Sequence, residues 1–222
     1  MKITTFSEVT IDGRLTLEPG QSSKRLFDFY GPALREWFHA ERAAHDAIMV
    51  GAGTVRADNP ELTVRHAAGA NPLRVIPTND GRIPDHSHIL TDGFPTLFAV
   101  PEDLTGTARD RLMAVPGVSL MTCGRTTVDL TLLARGLATR GIARLMVEGG
   151  SRLLHGILAA GLADRIVIKH IPVISGTTDA PTFLAKGTDG AQVPLSRWQV
   201  VDWRLIGGVG VSIYEPLKGT SL

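Results

Sequence analysis

Short runs of β-branched and apolar residues recur along this chain with helix-spaced segments between them, and no other feature constrains its fold as strongly. The runs are Ile3 to Phe6, Ala47 to Val50, Leu73 to Ile76, Thr96 to Val100, Val118 to Met121, Leu145 to Val147 and Ile166 to Ile171. A strand with one wet face alternates apolar and polar residues. Continuous runs of this length instead suit strands covered on both faces, as in a mostly parallel sheet. The intervening segments supply the covers. Pro32 sits like a first-turn proline, with Leu34, Trp37, Phe38 and Glu41 to Arg42 following at helical intervals. Asp129 reads as the N-cap of a second helix with Leu132, Leu133 and Leu137 facing inward. A third runs from Ser151 through Leu153, Leu154, Ile157 and Leu158 to a stop at Gly161. The expected architecture is therefore α/β, with helices on both faces of one sheet. Trp198 to Ile206 and Val209 to Tyr214, around Gly207-Gly208, form an expected antiparallel hairpin at the sheet edge.

The 222 residues, 43% of them hydrophobic, suffice for one large α/β domain, and residues 1–222 are read as a single domain. There is no internal repeat. The Gly-, Thr-, Asp- and Pro-rich loop from Gly176 to Pro194 looks the least ordered. No apolar run approaches the roughly 20 residues that cross a bilayer, and MKITTFSEVT lacks a signal-peptide core, so a cytoplasmic location is expected. The single cysteine, Cys123, excludes an internal disulfide and any multi-cysteine zinc cluster. A net charge of +1 gives no broad attraction to nucleic acid or to an anionic membrane, so phosphate recognition must be local.

The densest polar and glycine constellation runs from Asp46 to Arg65. A strand enters Gly51-Ala-Gly53, a polar turn carries Thr54 and Asp58, and Pro60 blocks further helix. Ligands of α/β sheets bind at the carboxyl ends of strands, where glycines let backbone approach a phosphate. The G-x-G-x-x-G fingerprint is not completed here and no P-loop lysine follows, so a plain structural turn reads equally well. In Arg144 to Ser151 a hydrophobic strand ends in Glu148, two glycines and a helix start. The carboxylate needs a partner or water. The amides of Gly149-Gly150-Ser151 are either an anion site or an unliganded helix N-terminus. Thr10-Ile-Asp12-Gly13-Arg14 forms a tight turn of weak functional meaning.

The seven histidines, His39, His45, His66, His86, His88, His155 and His170, show no metal-ligand spacing and read as solvated or structurally bonded. No metal is expected. Trp37, Trp198 and Trp203 read as core or interface residues. Neither G-x-S-x-G nor H-E-x-x-H occurs, which leaves hydrolase readings without nucleophile or metal.

Between about Thr5 and Ile174 the chain resembles the reductase half of the bifunctional deaminase-reductase of riboflavin biosynthesis and its free-standing pyrimidine reductases. The likeness rests on an ordered set: Thr-Ile-Asp-Gly, Gly-Gln-Ser, His-Ala-Glu-Arg-Ala, the stretch from Asp46 to Arg65, Pro-Leu-Arg-Val-Ile and Val-Glu-Gly-Gly. The chain departs from the pattern at Phe6 and Ser7, where many bacterial members carry a lysine. It also has Ser23-Lys24-Arg25 in place of a tryptophan, and Thr78 in place of an aspartate. No H-x-E with P-C-x-x-C is present, so deamination is expected to need another protein.

The resemblance implies a dihydrofolate reductase-like three-layer αβα fold and NADPH as cofactor. The implied reaction reduces the ribose of a ribosylaminopyrimidine 5′-phosphate to a ribityl chain. It places Thr54 and Asp58 beside the nicotinamide, Asn79, Asp80, Gly81 and Arg82 at the adenosine end, and Gly149, Gly150, Ser151, Arg152 and Leu153 at the pyrophosphate, with Gly124 also touching the cofactor. Thr10, Ser22, Arg42, Leu62, Arg65 and Glu148 become substrate contacts, and Asp58 and Glu148 the catalytic pair. Arg42 and Arg65 are expected to fork onto the substrate phosphate, Glu148 to accept from pyrimidine amino groups, and Arg82 to select the 2′-phosphate. A cis Gly149-Gly150 bond and a homodimer are further implied. A reductase of another pterin-like or carbonyl substrate, and a non-catalytic nucleotide-binding protein, remain as alternatives.

Overall fold

The computed structural model describes residues 1–184 and 192–217, so part of the loop from Gly176 to Pro194 lies outside the described residues. One nine-stranded sheet runs in the order β5-β4-β3-β2-β6-β1-β7-β9-β8. Its strands are β1 (Lys2–Thr10), β2 (Ala47–Met49), β3 (Leu73–Pro77), β4 (Thr96–Val100), β5 (Val118–Thr122), β6 (Arg144–Val147), β7 (Arg165–Ile171), β8 (Trp198–Ile206) and β9 (Val209–Pro216). All pairs from β5 across to β7 are parallel, while β9 pairs antiparallel with both β7 and β8. Every expected strand forms, and the C-terminal hairpin closes one edge through Gly207 and Gly208, at φ 56° and 88°.

Both faces of the sheet are covered over β2, β3, β4 and β6, which is why those strands read as continuous apolar runs. Ala47, Met49, Val75, Leu97, Ala99, Leu145 and Val147 point to one side, onto α5 (Leu130–Thr139) and α6 (Ser151–Ala159). Their chain neighbours Ile48, Ile76 and Phe98 point to the other, where α2 (Ala52–Asp58), α3 (His88–Thr91) and α4 (Gly106–Met113) pack. Phe6, Met146 and Val167 on that same side meet Leu34 and Phe38 of α1 (Pro32–Ala43). Asp129 caps α5, its carboxylate accepting from the Thr131 and Leu132 amides at 2.7 and 3.0 Å.

Several expectations require correction. Leu132 is exposed, because the inward stripe of α5 is carried by Leu133 and Leu137. Of the two roles expected for Trp203, core is excluded, since it is 61% exposed on edge strand β8. The polar turn expected at Thr54 to Asp58 is helix α2, opened by Gly51 and ended by left-handed Asn59 just before Pro60. No cis peptide bond occurs among the described residues; Gly149 and Gly150 are instead joined in trans, with φ at 82° and 63°.

Candidate active site

In a parallel sheet all strand ends of one polarity lie along one edge, so the loops after β1, β2, β3, β5 and β6 open on the same side. Strands β2 and β6 are neighbours, which brings the two glycine loops together. The Gly51 amide donates to the Gly149 carbonyl at 3.4 Å, and a Cβ built on Gly150 would stand 2.8 Å from Thr54 Oγ1. Gly150, at positive φ, thus holds bare backbone against Thr54 at the start of α6.

Asp58 closes α2 beside this junction. Its Oδ2 accepts from Ser23 Oγ at 2.7 Å, while Oδ1 is buried with no protein partner. A buried carboxylate oxygen without a donor is costly unless a ligand or water supplies one. The loop after β3, expected to meet the adenosine, is held by its own side chains. Thr78 Oγ1 accepts from the Gly81 amide, Asp80 Oδ1 accepts from the Arg82 amide, and Asn79 Oδ1 accepts from the Val128 amide. The Arg82 amide bond, opposed by slight burial, helps hold the Asp80 carboxyl below its usual range. The Arg82 side chain is left exposed, with the Arg56 guanidinium donating to its carbonyl at 2.9 Å. Gly124 sits after β5 at φ 89°, where a Cβ would collide with the Thr127 carbonyl. Ser151, Arg152 and Leu153 form the first turn of α6.

The residues assigned to substrate divide into two groups. Arg42 is 5% exposed and makes a fork with Glu148, Nε to Oε1 at 2.6 Å and Nη2 to Oε2 at 2.7 Å, while Nη1 donates to the Thr63 carbonyl. The partner that Glu148 needs is therefore Arg42, and the fork expected on a phosphate is closed on a carboxylate. Arg65 is exposed and pairs with Glu61, its amide donating to His39 Nδ1 at 3.0 Å. Burial, followed by the charges of Arg42, Arg65 and His66, pushes His39 down to about 4 and keeps its ring neutral. Leu62 is buried with φ at 56° and shapes the same turn. Thr10 and Ser22 are occupied locally: Thr10 Oγ1 donates to Asp12 Oδ1, and Ser22 Oγ accepts from the Lys24 amide at the head of a 3-10 segment, Ser23–Phe29. Asp12 in turn accepts from the amides of Ser175 and Gly176, tying the β1 turn to the loop after β7.

A cavity of about 240 Å³ lies beside Arg42, lined by Phe27, Tyr30, Arg35, Phe38, His39, Arg42, Arg65 and His66. It shares Tyr30, Arg35 and His66 with an open depression of about 500 Å³. Sequence reading missed Tyr30, Arg35 and His66, because nothing in local spacing distinguishes them from surface residues. It also missed Lys169 and Glu8. Lys169 is fully buried and ion-paired with Glu8, its partner in the β1–β7 register.

This topology and the site at its strand ends define an α/β protein of the dihydrofolate reductase-like class. A dihydrofolate reductase from Enterococcus faecalis, solved with NADP(H), superposes with a TM-score of 0.51 at 13% identity over 97% of this chain and 96% of its own. A pyrimidine reductase-like protein from Corynebacterium diphtheriae gives 0.79 at 19% identity, covering 98% of this chain and 92% of its own. The chain belongs to the RibD C-terminal domain family, whose model matches residues 1–209. Two relatives bear the name 2,5-diamino-6-ribosylamino-4(3H)-pyrimidinone 5′-phosphate reductase. The protein from Aquifex aeolicus is 38% identical over 179 residues, 80% of each chain. That from Methanothermobacter thermautotrophicus is 36% identical over 183 residues, 79% of this chain and 80% of its own. The family and the fold expected from the motifs are both borne out.

Proposed function

We propose that this chain is the NADPH-dependent reductase of riboflavin biosynthesis that converts the ribose of a ribosylaminopyrimidine 5′-phosphate into a ribityl chain. The observation that carries the reading is the junction of the two glycine loops, with Thr54 and the unpartnered Asp58 Oδ1 beside it. The shared name of the relatives supports the substrate, and supports a pyrimidine that still bears its 2-amino group.

The residues fit the cofactor. Thr54 and Asp58 would hold the nicotinamide half, Gly149 to Leu153 and the α6 N-terminus the pyrophosphate, Asn79 to Arg82 and Gly124 the adenosine end. When bound, NADPH supplies the hydride that reduces the open-chain ribosylamine carbon. The protein's part is orientation and exclusion of water. Asp58 Oδ1 orients a ribose hydroxyl or passes a proton. Glu148, held by Arg42, presents its carboxylate to the pyrimidine amino groups, while Arg65, Ser22, Thr10 and Leu62 bound the rest of the substrate. The reading takes the enzyme as a cytoplasmic homodimer that binds no nucleic acid. Exposed Val200, Trp203 and Leu205 on β8 support a subunit face there, which sedimentation would test.

The test is NADPH oxidation with the ribosylaminopyrimidine phosphate, run beside dihydrofolate. Turnover of the first alone is expected, and turnover of dihydrofolate alone would overturn the substrate. Asp58→Asn should bind NADPH and lose most turnover; full turnover would remove Asp58 from the chemistry.

A further inference from the structure

Beneath the cavity lies a second buried ion pair that the reaction as described does not use. Glu8 of β1 and Lys169 of β7 are paired on the α1 side of the sheet. Tyr30 Oη donates to Glu8 Oε1 at 2.5 Å. Lys169 Nζ lies 3.4 Å from the centre of the Phe38 ring and 5.2 Å from that of Tyr30. The Arg42 guanidinium carbon is 4.9 Å from the same Phe38 centre. One aromatic ring therefore mediates between two cations, each with its own carboxylate: Lys169 with Glu8, and Arg42 with Glu148. Tyr30, Phe38 and Arg42 all line the 240 Å³ cavity, so this layer forms its wall.

Stability does not account for such an arrangement. A buried pair pays desolvation for both ions, and a well-packed apolar pair of similar volume commonly serves the fold as well or better. The surroundings of Lys169 are apolar enough for that replacement, with Phe6, Phe38, Val167 and Val211 in the adjoining core. What an apolar pair could not supply is the acceptor that fixes the Tyr30 hydroxyl, or a second cation at the Phe38 ring that the Arg42–Glu148 fork also meets.

We propose that Glu8 and Lys169 are positioning residues for the reduction: acting through Tyr30 and Phe38, they hold the Arg42–Glu148 fork and the cavity wall in the geometry that receives the substrate's heterocycle. The proposal rests on the reductase reading for its substrate. The fork itself is a property of the protein alone, and the two can be tested apart.

The test is the balanced variant Glu8→Gln/Lys169→Met, which removes both charges together and strands neither. It should fold, with Tm within about 4 °C of the parent, and bind NADP⁺ unchanged. With the pyrimidine phosphate, kcat/KM should fall by roughly tenfold or more, the order expected when a reacting geometry loosens by a fraction of an ångström, with KM raised. Tyr30→Phe, which keeps the ring, should move KM in the same direction by less. Independently of any substrate, the Arg42 Nε proton, bonded to Glu148 in the parent, should exchange with solvent faster in the double variant by nuclear magnetic resonance. A lower Tm with unchanged KM and unchanged Arg42 exchange would mean a structural pair only and overturn the proposal. A parent enzyme that turns over no pyrimidine phosphate would overturn the reductase reading, and the exchange measurement would still decide the positioning role. If the double variant does not fold, Tyr30→Phe decides on the same two readouts: unchanged KM and unchanged Arg42 exchange reject the proposal.

Discussion

Replacing Gly150 by alanine tests the proposed cofactor site at the junction of its two glycine loops. Gly150 has φ 63° and ψ 137°, a combination that side chains with a Cβ rarely adopt. Forcing alanine into it costs about 1–3 kcal/mol. At about 2–4 °C per kcal/mol for a chain of this size, Tm should fall by roughly 2–12 °C. The added methyl would also stand 2.8 Å from Thr54 Oγ1, inside the 3.4 Å at which ordinary contacts begin. It forces the two loops apart at their contact. NADPH affinity should fall by about tenfold or more, equivalent to about 1.4 kcal/mol, measured by titration calorimetry. Thr54→Ala/Gly150→Ala should relieve the collision and keep the backbone strain, so its Tm should remain depressed. Gly51→Ala is the control, since its φ is −70° and the nearest atom to a new Cβ is 3.8 Å away. It should cost under about 1 kcal/mol, the scale of an altered N-cap. If Gly150→Ala binds NADPH as tightly as the parent, the cofactor does not lie along the Thr54–Gly150 junction, and the reasoning from it fails.

Other substitutions read the framework around the site. Asp92→Ala leaves the Arg74 guanidinium, 1% exposed and forked onto Asp92 at 2.6 and 2.7 Å, without its carboxylate; a loss of about 3–5 kcal/mol by urea unfolding is expected. Partial burial opposes ionisation of Asp92, but the Arg74 bonds prevail and hold it below its ordinary 3.8. Its contribution is therefore present above that pH and disappears as pH falls below it, so parent and Asp92→Asn stabilities should converge in acid. His39, lowered to about 4 from 6.5, resists protonation when folded, so stability should decline as pH falls from about 6.5 to about 4, and His39→Gln should flatten that slope. Asp129→Ala removes two cap bonds from α5 and should cost about 0.5–2 kcal/mol by thermal unfolding.

The strands were legible because their burial is two-sided, so Ile48 and Met49, or Phe98 and Ala99, can both be apolar while facing opposite layers. Helix α1 was legible from Pro32 and its apolar stripe. Helix α4 was missed because its sequence GTARDRLM buries only Leu112 and carries no stripe. Helix α2 was missed because Gly51, Gly53 and Pro60 mimic a loop, although the short helix between them needs only one buried turn around Ala52 and Val55. At the site, the sequence required a partner for Glu148, but could not choose among the chain's arginines, since Arg42 reaches it only through the packing of α1 on the sheet. Lys169 and Arg74 defied reading for a related reason. Each is a charged residue inside a strand, and its neutralising carboxylate comes from another segment.

The tip of the C-terminal hairpin has a consequence for how the chain can be cut or grafted. Gly207 lies against the opening of α1, with Leu34 N 3.6 Å from where its Cβ would stand, and the Gly207 carbonyl is the nearest atom to a Cβ built on Gly31. Tyr30, Pro32 and Arg35, which border the open depression, therefore take their seat against a turn encoded far downstream of them. A fragment ending after β7 would keep each recognisable motif yet lose the buttress under the mouth of its own cavity. In this fold a segment translated well after α1 completes a rim whose other parts were synthesised earlier.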